Sequence, residues 1–196
     1  YTDVHFGMTS GLSNPTVLSI HQEAGEEYIW IGTDGGGINR FDPSTYEFTH
    51  YPSTKKAKVV SIAPYSKDEL AISIHADRIW LFNKNTGTLR ALDIKDEEVN
   101  YKIAYSGTNI NLHREPSGSM LLISSMVRRL NTNTLTCSKI AISDGKKSQG
   151  NISIIGQTTQ GLWMHDNSSI YLLADGESQM HRITTCDNNK INSGHI

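Results

Sequence analysis

Tyr28-Ile29-Trp30-Ile31-Gly32-Thr33-Asp34-Gly35-Gly36-Gly37-Ile38-Asn39-Arg40-Phe41-Asp42 is the stretch that decides how the chain is read. Tyr28 to Ile31 are aromatic or β-branched, and such side chains suit the pleated surface of a strand. Asp34 to Gly37 can supply the positive φ angles that a tight hairpin turn requires. Ile38 to Phe41 then resumes as a second strand. The stretch predicts a β-hairpin, and weaker versions of it return three times.

Aligned on the second strand of the hairpin, Ile38-Asn39-Arg40-Phe41-Asp42 matches Ile79-Trp80-Leu81-Phe82-Asn83, Val127-Arg128-Arg129-Leu130-Asn131 and Ile170-Tyr171-Leu172-Leu173-Ala174. The anchors Phe41, Phe82, Leu130 and Leu173 follow one another at intervals of 41, 48 and 43 residues. Each copy has a strand ahead of its hairpin: Val17 to Ile20, Val59 to Ile62, Ile110 to Leu112 and Ile152 to Ile154. Each is closed by a fourth strand: Phe48 to Tyr51, Leu89 to Leu92, Leu135 to Ile140 and Met180 to Thr184. Turn residues separate the third and fourth strands in three copies (Pro43 to Thr45, Lys84 to Gly87, Thr132 to Thr134). Four short strands per repeat of this length is the arithmetic of a propeller blade, and the period-2 alternation does not fit a helical repeat.

The expected fold is all-β: a β-propeller segment of about four four-stranded blades, part of a larger ring of about seven. The blades are read as 17–51, 59–92, 110–140 and 152–184. Val4-His5-Phe6 resembles Thr49-His50-Tyr51, so 1–6 reads as the outer strand of a preceding blade, and 191–196 as the start of a next one.

With 37% hydrophobic and 19% charged residues, the 196-residue chain has the composition of a folded protein. A formal net charge of −2 argues against a nucleic-acid surface. Lys55, Lys56 and Lys58 form the one basic cluster, read as a solvated loop. No apolar run approaches the roughly 18 residues a membrane helix needs. Cys137 and Cys186 lack metal-ligand spacing and read as two thiols.

The string Gly11-Leu12-Ser13-Asn14-Pro15-Thr16-Val17, followed by Ile29-Trp30-Ile31-Gly32-Thr33 and Gly36-Gly37-Ile38-Asn39-Arg40-Phe41-Asp42-Pro43, resembles the two-component regulator propeller repeat. The first copy is near the consensus of that repeat. The others diverge, with Leu70-Ala71-Ile72-Ser73-Ile74, Leu121-Leu122-Ile123-Ser124 and Gly161-Leu162-Trp163-Met164 at the position of the Trp-Ile-Gly-Thr string. The resemblance implies the periplasmic sensor half of a hybrid two-component histidine kinase, the ectodomain of an inner-membrane protein. Its partners would be neighbouring propeller and sandwich domains. Many members of that family respond to breakdown products of complex polysaccharides and control the genes that use them. A sensor region of this kind would take an oligosaccharide ligand and carry no catalysis. An interaction or dimerisation scaffold is the alternative, and a propeller lyase or hydrolase a more distant one.

In a propeller the loops between second and third strands gather on one face. Here they are Asp34 to Gly37, His75-Ala76-Asp77, Ser125-Met126 and His165-Asp166-Asn167-Ser168. His75, Asp77, His165, Asp166 and Asn167 are the candidate ligand-binding set, since sugar hydroxyls need paired donors and acceptors. The competing reading is turn chemistry, because Asp and Asn bond their own backbone. No nucleophile elbow, zinc-binding helix motif or phosphate loop is present, so no catalytic residue, metal or cofactor is expected. Trp30, Trp80 and Trp163 lie within strand pairs and are expected in the core.

Overall fold

The structure is a computed structural model that describes residues 8–100 and 109–185. The expected end strands at 1–6 and 191–196, and Cys186, lie outside the described residues; Cys137 is half-buried. The chain divides into two compact units, 1–114 and 115–196.

In the first unit, β2 (Ile29–Thr33) and β3 (Gly37–Asp42) form the hairpin, paired from Thr33↔Gly37 to Ile29↔Phe41. Gly35 and Gly37 take φ of 89° and 78°. Glycine at 37 is required twice over, because a Cβ there would lie 2.4 Å from the Thr54 carbonyl oxygen. β1 (Val17–His21) pairs with β2 and β4 (Glu47–His50) with β3, giving an antiparallel sheet of order β1-β2-β3-β4. The second sheet repeats it with β5 (Val59–Pro64), β6 (Glu69–Ile74), β7 (Ile79–Asn83) and β8 (Leu89–Ala91). The register shifts between Val17 and Ser19 and again between Val59 and Ser61, so the bulge repeats with the sequence. β9 (Asn111–Arg114) closes the unit.

Equivalent serines stitch these strands together. Ser19 Oγ donates to the Val59 carbonyl at 3.0 Å, and Leu112 N donates to Ser61 Oγ at 2.9 Å. The main core lies between the two sheets, where Trp30, Ile38, Val59, Leu70, Ile72 and Phe82 are buried. Trp30 and Phe82 meet edge to face at 5.6 Å, and Tyr51 stands edge-on to Phe82 at 4.8 Å. Trp30 is in the core as expected, 2% exposed. Trp80 and Trp163 are only half-buried, each turning its indole N–H to a polar partner, Asp77 and Thr158.

The second unit holds β10 (Met120–Ile123), β11 (Val127–Leu130), β12 (Cys137–Ile142), β13 (Ser153–Thr158), β14 (Gly161–His165), β15 (Ser169–Leu173) and β16 (Gln179–Thr185). Each strand pairs antiparallel with its neighbour in sequence within β10–β12 and within β13–β16. The outer strands β12 and β16 then pair in parallel through Ala141↔Gln179 and Ile142↔Met180. Leu121, Ile123, Val127, Ile152, Leu162, Met164, Tyr171 and Met180 make the core.

One local rule shapes three turns. The first residue after the third strand, or its last, is Asp42, Asn83 or Asn131. Its Oδ1 accepts the backbone N–H groups two and three residues on, at 2.8–3.4 Å. The residue four on, Tyr46, Gly87 or Leu135, takes φ of 60–69° and donates back to the carbonyl. This corrects one expected boundary. Leu135 is in the left-handed region and cannot be extended, so β12 starts at Cys137.

Candidate functional site

The expected ligand-binding residues occupy turns between second and third strands. His75 and Asp77 belong to the first unit, and His165, Asp166 and Asn167 to the second. The β6–β7 turn is tight enough to force Ala76 to φ 54°. His75 Nδ1 lies 2.7 Å from Asn109 Oδ1, and Asp77 Oδ2 accepts the Trp80 indole N–H at 3.0 Å. His75 and Asp77 therefore turn to different partners. Both are half-buried, leaving polar edges open to water.

Asp166 has another character. It is 6% exposed, and its carboxylate organises the β14–β15 turn and the linker before β13. Oδ1 accepts Ser168 N at 2.7 Å and Ser169 N at 2.8 Å; Oδ2 accepts Gln149 N at 2.7 Å and the Tyr171 hydroxyl at 2.6 Å. Burial alone would raise its pKa, but the donors led by Tyr171, Ser168 and Gln149 outweigh it and hold the group down at about 2. Asp166 is thus a permanent anion that serves its own turn. His165 and Asn167 flank it and are exposed. His165 Nδ1 donates to the Asp166 carbonyl at 3.2 Å, not to its carboxylate. In neither pair does the imidazole meet the neighbouring carboxylate. Among the described residues no cluster of three or more His, Cys, Asp or Glu is arranged to hold a metal.

Two clefts lie beside turns of this class. The first, of about 610 Å³, runs between the β2–β3 turn and the linker into β5. Gly35 and Gly36 form one lip, Lys55 and Lys56 the other, with Leu12 and Tyr51 between. The second, of about 420 Å³, runs between the β10–β11 turn at Ser125-Met126 and the linker into β13. Lys146 and Lys147 stand on its rim over Val127, Ile140 and Met180. Lys55 and Lys56 thus line a cleft, although a run of lysines in a linker reads as a solvated loop. Linker side chains have no periodicity from which their surroundings can be deduced.

The linkers are held in place. Thr54 is buried, accepts Ile38 N at 3.0 Å and donates to the Tyr51 carbonyl. Gly35 N and Gly37 N both donate to the Ala57 carbonyl, at 3.2 and 3.1 Å. In the second unit Ser148 Oγ donates to the Ser125 carbonyl at 2.6 Å, and Ile152 N to the Ser124 carbonyl at 2.7 Å.

No family profile matches the sequence, and no curated protein matches it. Solved structures do. The chain is similar to the extracellular domain of a protein assigned to a hybrid two-component system of B. thetaiotaomicron. Identity is 19% and TM-score 0.60, over 83% of this chain and 21% of that one. It is also similar to PorZ, a surface component of the type-IX secretion system of Porphyromonas gingivalis. There identity is 12% and TM-score 0.63, over 89% of this chain and 21% of that one. The β-propeller domain of Swd1 from Myceliophteria thermophila is matched at 12% identity and TM-score 0.58, over 86% of this chain and 57% of that domain. The chain spans about a fifth of the length of the first two. At these identities the likeness shows the fold, a β-propeller of antiparallel four-stranded blades.

Proposed function

We propose that this chain is a ligand-sensing propeller region in the extracytoplasmic, periplasmic half of a hybrid two-component histidine kinase. Its ligand is an oligosaccharide, its output the control of polysaccharide-utilisation genes, and it carries out no chemistry itself. The observation that carries the reading is the coincidence of two likenesses. The first blade resembles the two-component regulator propeller repeat, and the fold is similar to an extracellular domain assigned to a hybrid two-component system over 83% of this chain and 21% of that one. His75, Asp77, His165 and Asn167 offer hydroxyl-binding edges on the turns, and Asp166 holds the His165–Asn167 turn in shape.

Calorimetric titration of the intact ectodomain with an oligosaccharide panel tests this. A saturable heat that His75→Ala or His165→Ala weakens supports it. Heat with neither variant altered moves the sugar to another surface. No heat with any saccharide contradicts the reading.

A second reading, a scaffold for self-association or for neighbouring domains, is favoured by one feature. Ile20 on β1 is 68% exposed, and Ile155 on β13 is 57% exposed. Large apolar side chains on strand faces suit a protein contact. Sedimentation of the ectodomain with Ile20→Ser and Ile155→Ser separates the two, since only the scaffold requires these residues for assembly.

A further inference from the structure

The two lysine-rimmed clefts occupy equivalent places in different repeats. Each lies between a second-to-third strand turn and the linker that follows the same blade's fourth strand, one in each unit. Each linker contributes two consecutive lysines, Lys55-Lys56 and Lys146-Lys147. The residues lining them include no carboxylate, although the chain has 20 acidic residues against 18 lysines and arginines. Other clefts of the molecule do carry acids, Glu26 and Glu27 in one and Asp77 and Asp93 in another.

The acids adjacent in sequence to a lining residue, Asp34 beside Gly35 and Asp144 beside Gly145, each have a cationic partner. Asp34 is paired with Lys58 at 2.8 Å, and Asp144 with Arg182 at 2.8 Å. Among the described residues no ion pair ties Lys55, Lys56, Lys146 or Lys147, whereas Lys58 and Lys84 are tied. Both linkers are fixed by buried or short hydrogen bonds, at Thr54 and at Ser148, so the backbone bearing the ammonium groups is preorganised. Beside the lysines each cleft has a half-buried apolar side chain, Tyr51 in one and Met126 in the other, against which the C–H face of a sugar ring can pack.

We propose that both clefts bind acidic saccharides, the lysine pair taking the carboxylate of a uronate or the sulfate of a sulfated sugar while the ring packs against Tyr51 or Met126. This goes beyond the reading above by placing saccharide sites apart from the His75 and His165 turns, and rests on that reading for the ligand being a saccharide. Two ammonium groups on a lining that holds no carboxylate select for anions, because each charge-assisted bond is worth about twice a neutral one. In the second cleft Lys147 is the freer cation, since Asp144 accepts Lys146 N at 2.9 Å and shares its field.

The test is calorimetry on the intact ectodomain with trigalacturonate, a sulfated uronate-free carrageenan tetrasaccharide, galactotriose and decanoate. One or both acidic saccharides should saturate, one ligand per cleft, with heat that fades as salt rises. Which acid binds distinguishes carboxylate from sulfate. Lys55→Gln/Lys56→Gln and Lys146→Gln/Lys147→Gln should each remove one site or weaken it about 10-fold or more. Lys67→Gln/Lys95→Gln, which removes the same two charges outside both clefts, should leave binding unchanged. All six lysines are exposed, so melting temperature checks that the variants stay folded. Galactotriose binding as well as the acids, insensitive to the lysine variants, would overturn the inference and leave the sensor reading standing. So would decanoate binding with no acidic saccharide, or an equal loss in Lys67→Gln/Lys95→Gln. No heat with any saccharide would overturn both.

Discussion

The Tyr171 hydroxyl donates to Asp166 Oδ2 at 2.6 Å, and both residues are buried in the second unit. Arg182 reaches the same hydroxyl at 3.1 Å and Asp144 Oδ2 at 2.8 Å, which ties β16 and the linker into the network. Removing only the hydroxyl, by Tyr171→Phe, leaves the ring packed and should cost about 1–2 kcal/mol. Urea denaturation measures it.

Asp166 also sets an acid limit. Its folded pKa of about 2 lies below the ordinary carboxylate value, so its stabilisation is complete above that value and is lost as pH falls towards 2. The contribution at neutral pH is about 2–3 kcal/mol. The stability gap between the native protein and Asp166→Asn should therefore be wide at neutral pH and narrow on acidification. A gap independent of pH would mean the carboxylate is protonated at the same pH in folded and unfolded chains.

The three equivalent turns provide an internal comparison. Leu135 holds φ 60° with a side chain, a conformation that costs about 1–2 kcal/mol outside glycine, while glycine gives back about 0.5–1 kcal/mol of backbone entropy. Leu135→Gly should be neutral or stabilising by about 0.5 kcal/mol. At the matching position, Gly87→Ala should destabilise by more than 1 kcal/mol. It adds the same strain, and its Cβ would lie 2.6 Å from Tyr51 Cδ1. Paired thermal melts compare the two.

Lys84 joins the two sheets of the first unit. Its ammonium lies 2.9 Å from Glu23 Oε1 and 2.5 Å from Glu26 Oε1, and Glu26 also accepts the Trp30 indole N–H. The side chain is 11% exposed, so Lys84→Met would leave two carboxylates facing each other without a cation and should cost about 1–3 kcal/mol. Burial opposes the charge, but the bonds to Glu26 and Glu23 prevail and raise the Lys84 pKa. Its stabilisation is thus fully present below 10.5 and lost only as pH rises beyond it. The Lys84→Met deficit should be constant from pH 6 to 9 and shrink in stronger alkali, as denaturant midpoints would report.

Strand alternation and a repeating anchor made the sheets legible in the sequence, because a half-buried strand must place every second side chain inward. Ser19 and Ser61 are visible there as an offset pair, though not that each bonds the next inner strand. The parallel pairing of β12 with β16 left no local signal, since it depends on outer strands meeting 38 residues apart (Ala141 to Gln179). Leu135 was misread as strand because a leucine does not announce a positive φ. Its alignment with Gly87 was the available clue. Asp166 was recognisable as chemically special, but only the fold distinguishes a carboxylate turned inward on its own amides from one offered to a ligand. Lys55 and Lys56 were visible, and what they overhang was not.

The central claim is recognition of a saccharide without turnover. The most direct measurement is to bind the best oligosaccharide of the panel to the intact ectodomain by calorimetry, then incubate the same sample and separate the saccharide by anion-exchange chromatography. The account predicts saturable heat and an unchanged elution profile after prolonged incubation. New, shorter products that disappear with His75→Ala or His165→Ala in a folded protein would contradict it and make the chain an enzyme.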